Sequence, residues 1–246
     1  MSRLARLFAL AAVLTLSLAV WVACSSDDDG NGGGEEATAT APAAAVTDPY
    51  ADSDADVSMN HDAAVMTPAT AEFHDAMRKL WEDHVTWTRL FIISASHDLP
   101  DADATTQRLL QNQEDIGDAI KPFYGEEAGN ALTTLLKEHI TTAATLLEAA
   151  KAGDSAAVTA SSESWYDNGD RIAAFLGEAN PDNWPEADAK LMMREHLDLT
   201  LEEAVAHLTG DYATDIAAYD KIHLQILEMA DMLSAGIVAQ FPDKFG

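Results

Sequence analysis

Cysteine is almost absent from this chain. Cys24 is the only one in 246 residues, so no disulfide can close within the chain and no thiolate cage can hold a metal. Basic residues are also scarce, with 14 Lys and Arg against 42 Asp and Glu and a formal net charge of −28. A surface of that sign repels nucleic acid and anionic lipid heads, which excludes nucleic acid as a partner. It is the surface of a cation binder or of a protein from a saline habitat. No segment sustains the apolar–polar alternation of a strand. Missing as well are a Gly-rich phosphate loop, Gly-x-Ser-x-Gly, His-Glu-x-x-His and the Glu-x-x-His of di-iron carboxylate bundles. No catalytic motif is left, and an enzyme ranks behind a binding or structural role.

What is present begins with a targeting segment. Arg3 and Arg6 precede an apolar run from Leu7 to Ala23, too short and wrongly flanked for a stable span, so residues 1–23 read as a signal peptide. Ala23-Cys24 resembles the cleavage and lipidation point of a bacterial lipoprotein, although Trp21 stands where leucine is usual. The alternative is a plain cleaved signal with an incidental cysteine. Residues 24–66 follow as an acidic, Gly- and Ala-rich tether that cannot bury enough apolar surface to fold. The expectation is an exported protein of the cell envelope, anchored to a membrane through Cys24, with room for an envelope protein partner. Twelve basic and 32 acidic residues fall beyond position 66, so the acidity belongs mostly to the domain at 67–246.

That domain carries a repeated pattern. Leu80-Trp81-Glu82-Asp83-His84-Val85, Leu135-Leu136-Lys137-Glu138-His139-Ile140 and Met192-Met193-Arg194-Glu195-His196-Leu197 each read as two bulky apolar residues, a variable one, an acid, a histidine and an aliphatic. The histidines are 55 and 57 residues apart, the length of one helical hairpin. The second and third copies stay in phase through Gly153-Asp154 and Gly210-Asp211. Start and stop signals predict six helices. Thr67-Pro68 opens the first, which runs to about Ser96. The second ends before Pro122, and the third runs from about Glu126 to Ala152. Asp154 caps the fourth, Pro185 opens the fifth after the Asn180–Pro185 turn, and Asp211 caps the sixth, which ends before Pro242. The fold class is all-α, a six-helix up-down bundle of three hairpins.

Periodicity turns His84, His139 and His196 toward the core, with Asp83, Glu138 and Glu195 about 100° round each helix at the rim. A buried imidazole needs partners for its nitrogens. Asn112, Asn168 and Gln225 lie 28 or 29 residues after their histidines, with Asp115 and Asp170 close by. On one reading these groups satisfy the rings and lock the hairpins. On the other, the histidines and acids ligate a divalent transition metal, or a small ligand, through nitrogen and oxygen. Asp220-Lys221-Ile222-His223 is a single i, i+3 pair. Met59, His61, Met66 and His74 are soft or nitrogen donors straddling the tether. Trp81, Trp87, Trp165, Tyr166 and Phe175 read as core aromatics, and Arg89 and Arg171 as partners for Asp115 or Asp170.

Three longer motifs resemble a family of uncharacterised bacterial helical proteins: Leu80-Trp81-x-x-His84-Val85-x-Trp87-Thr88-Arg89, Asn112-Gln113-x-Asp115-Ile116-Gly117-x-Ala119-Ile120-x-Pro122-x-Tyr124-Gly125, and Gln240-Phe241-Pro242-x-Lys244-Phe245. The resemblance covers most of residues 75–246 and implies a helical fold with no established activity.

Overall fold

The computed structural model describes residues 66–246, so the signal peptide, Cys24 and nearly all of the tether lie outside the described residues. Those described are all-helical. There are five helices, not the six expected: α1 Pro68–Ser96, α2 Ala102–Ala152, α3 Ser155–Ala179, α4 Glu186–Thr209 and α5 Tyr212–Gln240, followed by a 3-10 turn at Pro242–Lys244. The two helices predicted around Pro122 are one continuous element, α2, with Pro122 inside it and a non-helical break at Gly125 (φ 86°, ψ 169°). Proline removes one helical hydrogen bond without reversing the chain. The reversal needs a positive φ, and glycine supplies it three residues later.

The other ends match their sequence signals. The Thr67 hydroxyl accepts from the Thr70 amide, with Pro68 at the first helical position. Asp154 accepts from the amides of Ala156 and Ala157, and Asp211 from that of Thr214. Gly153 and Gly210 close α2 and α4 in the left-handed conformation (φ 72° and 81°). Asp98, between α1 and α2, is the one described non-glycine residue with positive φ.

The helices form a closed ring: α1 packs on α2, α2 on α3, α3 on α4, α4 on α5, and α5 returns to α1. Within α2 the arms on either side of Gly125 touch through small residues. A Cβ at Gly117 would sit 1.9 Å from the Thr133 hydroxyl and 2.7 Å from the Gly129 carbonyl oxygen. The core divides into a large cluster running from Met77 and Trp81 to Ile237 and Phe245, and a smaller one around Phe91, Leu109, Ile140 and Leu147. The best 18-residue window of α5 has a mean hydropathy of 1.3, enough for a membrane span by length and composition, yet half of that window is buried in the bundle.

Two glycine substitutions separate space from backbone conformation. Gly117→Ala, at an unstrained φ without room, is expected to cost about 1–3 kcal/mol in urea unfolding. Gly210→Ala, with open space but a positive φ, is expected to cost about 1–2 kcal/mol. A Gly117→Ala protein as stable as the wild type would mean that the two arms of α2 do not approach closely.

Candidate functional site: a layer of three buried histidines

The three histidines enter the core from α1, α2 and α4, and each is at most 5% exposed. His84 and His196 have ring centroids 5.7 Å apart, and a charge on either of the other rings would disfavour a proton on His84. Trp81 packs edge-on to His84 and Trp165 stacks on His139, with centroids at 5.8 and 5.4 Å. Both indoles are buried, and neither N–H finds an acceptor among the described residues.

A side-chain amide from the following helical segment holds each ring. His139 Nδ1 lies 3.0 Å from Asn168 Oδ1, and His196 Nδ1 lies 3.2 Å from Gln225 Oε1. The same amides reach past the ring to a main-chain carbonyl one turn earlier: Asn168 Nδ2 donates to Leu135 O and Gln225 Nε2 to Met192 O, both at 3.1 Å. That second bond fixes the orientation of the amide. Its nitrogen is committed to the carbonyl, so its oxygen faces the ring, and Nδ1 of the ring must carry the proton. Nε2 of His139 and of His196 therefore presents a lone pair.

At His84 the arrangement splits over two residues. Asn112 donates to Leu80 O at 2.9 Å, as the other amides do to their carbonyls. Gln113, absent from the expected set, faces the ring instead, with its nitrogen 3.3 Å from His84 Nδ1. Both hydrogens of that nitrogen are taken by Leu109 O at 2.8 Å and Asn112 Oδ1 at 3.1 Å, so it cannot exchange places with Oε1 without setting oxygen against oxygen. An amide nitrogen cannot accept a proton from Nδ1, so His84 is the opposite tautomer, with its proton on Nε2. The layer thus holds two lone pairs and one N–H with no protein partner among the described residues.

Burial is the first cause of low basicity in all three rings. It pushes His139 down to about 3 and His196 down to about 4, and lowers His84 well below its ordinary value with help from the neighbouring rings. At neutral pH the layer is uncharged.

The acids beside the histidines turn away. Asp83 pairs with Lys79 at 2.5 Å, Glu138 pairs with Arg171 at 2.6 Å, and Glu195 is exposed on α4. Asp115 lies near Arg108, and Asp170 pairs with Arg194, so neither meets a histidine or the Arg89 and Arg171 partners expected for it. His223 binds Glu82 at the surface, His74 lies between Asp75 and Asp231, and Met66 is exposed. Met59 and His61 lie outside the described residues. No group of three or more His, Cys, Asp or Glu side chains is close enough to share a metal ion among the described residues.

No family model, curated protein or solved structure matches the chain.

Periodicity does not reveal a second buried polar cluster, because Glu203 is an acid on the otherwise apolar stripe of α4. Arg89 of α1 donates to Glu203 Oε1 at 2.6 Å and to Asp215 Oδ1 at 2.7 Å, and Asp215 Oδ2 lies 2.9 Å from His207 Nδ1. Glu203, Asp215 and His207 are all at most 5% exposed. Burial pushes Glu203 up to about 7 against the pull of Arg89. Burial also acts upward on Asp215, but hydrogen bonds from Arg89 and His207 outweigh it and the net shift is downward. The signal that could have found this cluster was an acid and a histidine spaced i, i+4 on the buried face of α4.

These shifts set a pH dependence. A histidine whose folded pKa is depressed holds fewer protons than the unfolded chain below its ordinary value of 6.5, so stability falls as pH drops from there. Each such ring adds a slope of about 1.4 kcal/mol per pH unit. Glu203, raised from 4.5 to about 7, acts oppositely, because its contribution is present at low pH and fades as pH rises through 7. Three rings against one carboxyl should give net acid destabilisation between pH 6.5 and 4.5 in denaturant titrations. Glu203→Gln should make the loss steeper. A flat profile would contradict neutral, buried rings.

Proposed function

We propose that this is an exported, lipid-anchored helical domain that binds a small neutral ligand at the histidine layer, which would make it a binding module outside the cytoplasm and not an enzyme. One observation carries the reading: the rings are oriented so that two lone pairs, on His139 and His196, and one N–H, on His84, have no hydrogen-bond partner among the described residues. A hydroxyl or an amide head both donates and accepts, and so complements that set. A cavity of about 70 Å³ lies one turn beyond the layer, lined by Thr88, Ala143 and Thr200, with Phe91, Leu146 and Trp165 in its apolar wall, and Trp165 is the ring that stacks on His139. It suits a short aliphatic tail.

A divalent metal fits less well. The neighbouring carboxylates point outward, so the dication would enter a neutral core uncompensated, at a cost of several kcal/mol. His84 would also have to surrender its tautomer against Gln113. The equal spacing supports a three-hairpin origin for the bundle: the ring-facing amide follows its histidine by 29 residues in each case.

A second reading has its own observation. Asn168 and Gln225 each tie a ring to a carbonyl one turn earlier, across two helical segments, Asn112 and Gln113 divide that work at His84, and such a clamp is sufficient reason for a buried histidine in an envelope scaffold. Titration of the 15N-labelled domain with straight-chain alcohols from ethanol to butanol separates the two. Binding predicts saturable shifts at His139 and His196 Nε2 that vanish when Ala143→Leu fills the cavity. Unmoved imidazole signals support the clamp alone. Zinc bound stoichiometrically and lost in His139→Ala would replace the neutral ligand with a metal.

A further inference from the structure

His207 differs from the three layer histidines in how it is held. Its Nδ1 faces a carboxylate, Asp215 Oδ2 at 2.9 Å, and that carboxylate is fixed in turn by Arg89, which also grips Glu203. In the neutral ring the proton therefore sits on Nδ1, and Nε2 presents a lone pair. That Nε2 is buried without a hydrogen-bond partner, in a side chain only 5% exposed. A second imidazole packs against the same ring. His97, exposed just past the end of α1, has its ring centroid 5.0 Å from that of His207, with Tyr212 on another side at 5.5 Å.

The fold does not demand a polar cluster here. In the 57-residue register that aligns His139 with His196, the positions of Glu203, His207 and Asp215 are held by Leu146, Ala150 and Val158. Leu146 and Val158 are buried, and all three line the apolar cavity. One helix pair carries aliphatic groups where the other carries a charged network at the cost of desolvating it.

We propose that His207 and His97 form a site for a divalent transition metal of the zinc class, with Asp215 orienting His207 and water filling the remaining positions. A carboxylate on the far nitrogen of a histidine is the usual support of a metal-ligating ring: it fixes the tautomer and raises the basicity of the free nitrogen. Two imidazoles and no thiolate suit zinc, nickel or copper. Charge favours this place over the histidine layer, because the Asp215 carboxylate lies directly on His207, whereas the layer has no compensating acid. His97 is the exposed member and provides the way in.

The test is zinc titration of the whole chain by calorimetry, with thermal melts to verify folding. The wild type should bind one zinc at this site. His97→Ala, an exposed change that leaves the core intact, should weaken binding at least tenfold. His207→Ala should abolish it, and Asp215→Asn should weaken it about 10- to 100-fold. His196→Ala should leave it unchanged, which keeps this result distinct from any ligand in the layer. No zinc binding, zinc affinity unaltered in folded His97→Ala, or binding lost in His196→Ala would each overturn the proposal.

Discussion

The bundle depends on one interaction made twice in full and once divided between two residues: a side-chain amide bridging a buried imidazole and a main-chain carbonyl on the neighbouring helical segment. Each bridge meets two demands together. It satisfies a ring nitrogen that would otherwise be orphaned in an apolar core, and it occupies a second acceptor position on a carbonyl already within a helix. Because the amide has one nitrogen and one oxygen, its choice of carbonyl decides which face of the ring is acidic and which is basic. A packing device thereby sets the chemistry of the layer. The split of the first bridge over Asn112 and Gln113 inverts one ring relative to the other two, so the layer offers unlike groups and not three copies of one.

Much of this was legible in the sequence, for reasons that lie in local chemistry. Thr67-Pro68, Asp154, Asp211, Gly153 and Gly210 end or begin helices because their backbones and side chains allow little else there, and the structure places them so. The inward histidines followed from spacing, because Leu80, His84, Trp87 and Phe91 share a stripe. What spacing could not reveal was direction at the rim. Asp83, Glu138 and Glu195 stand one residue from a buried ring, and a rotation of about 100° can place such a group on either side of the boundary. Lys79 and Arg171 draw the first two outward. Between adjacent amides at 112 and 113, only the position of the opposing helix decides which one meets the ring.

Glu203 teaches the complementary lesson. On its own helix it reads as a flaw in an apolar stripe, and it is buried because Arg89, 114 residues earlier, comes to meet it. Arg89 in turn lies over the Tyr219 ring, with its guanidinium carbon 4.8 Å from the centroid. Charged residues in a core are intelligible only in pairs, and the members of this set come from α1, α4 and α5. Long-range pairing of this kind leaves no periodic trace, so helix position was readable along the chain and the polar cluster was not.

The reversal at Gly125 has a consequence for how the chain can be altered. A turn made by a single residue, with helix on both sides, offers almost no slack: nothing can be spliced in there without prising apart Gly117 and Gly129. The Asn180–Pro185 connection is also pinned, by Asn180 donating to Gly236 O and by Trp184 packed against α5. The connections at 97–101 and 209–212 are exposed along their length, and Lys151 reaches the first of them through Asp98. Insertions, nicks and new termini should therefore be accepted at those two corners first, and His97 sits on one of them.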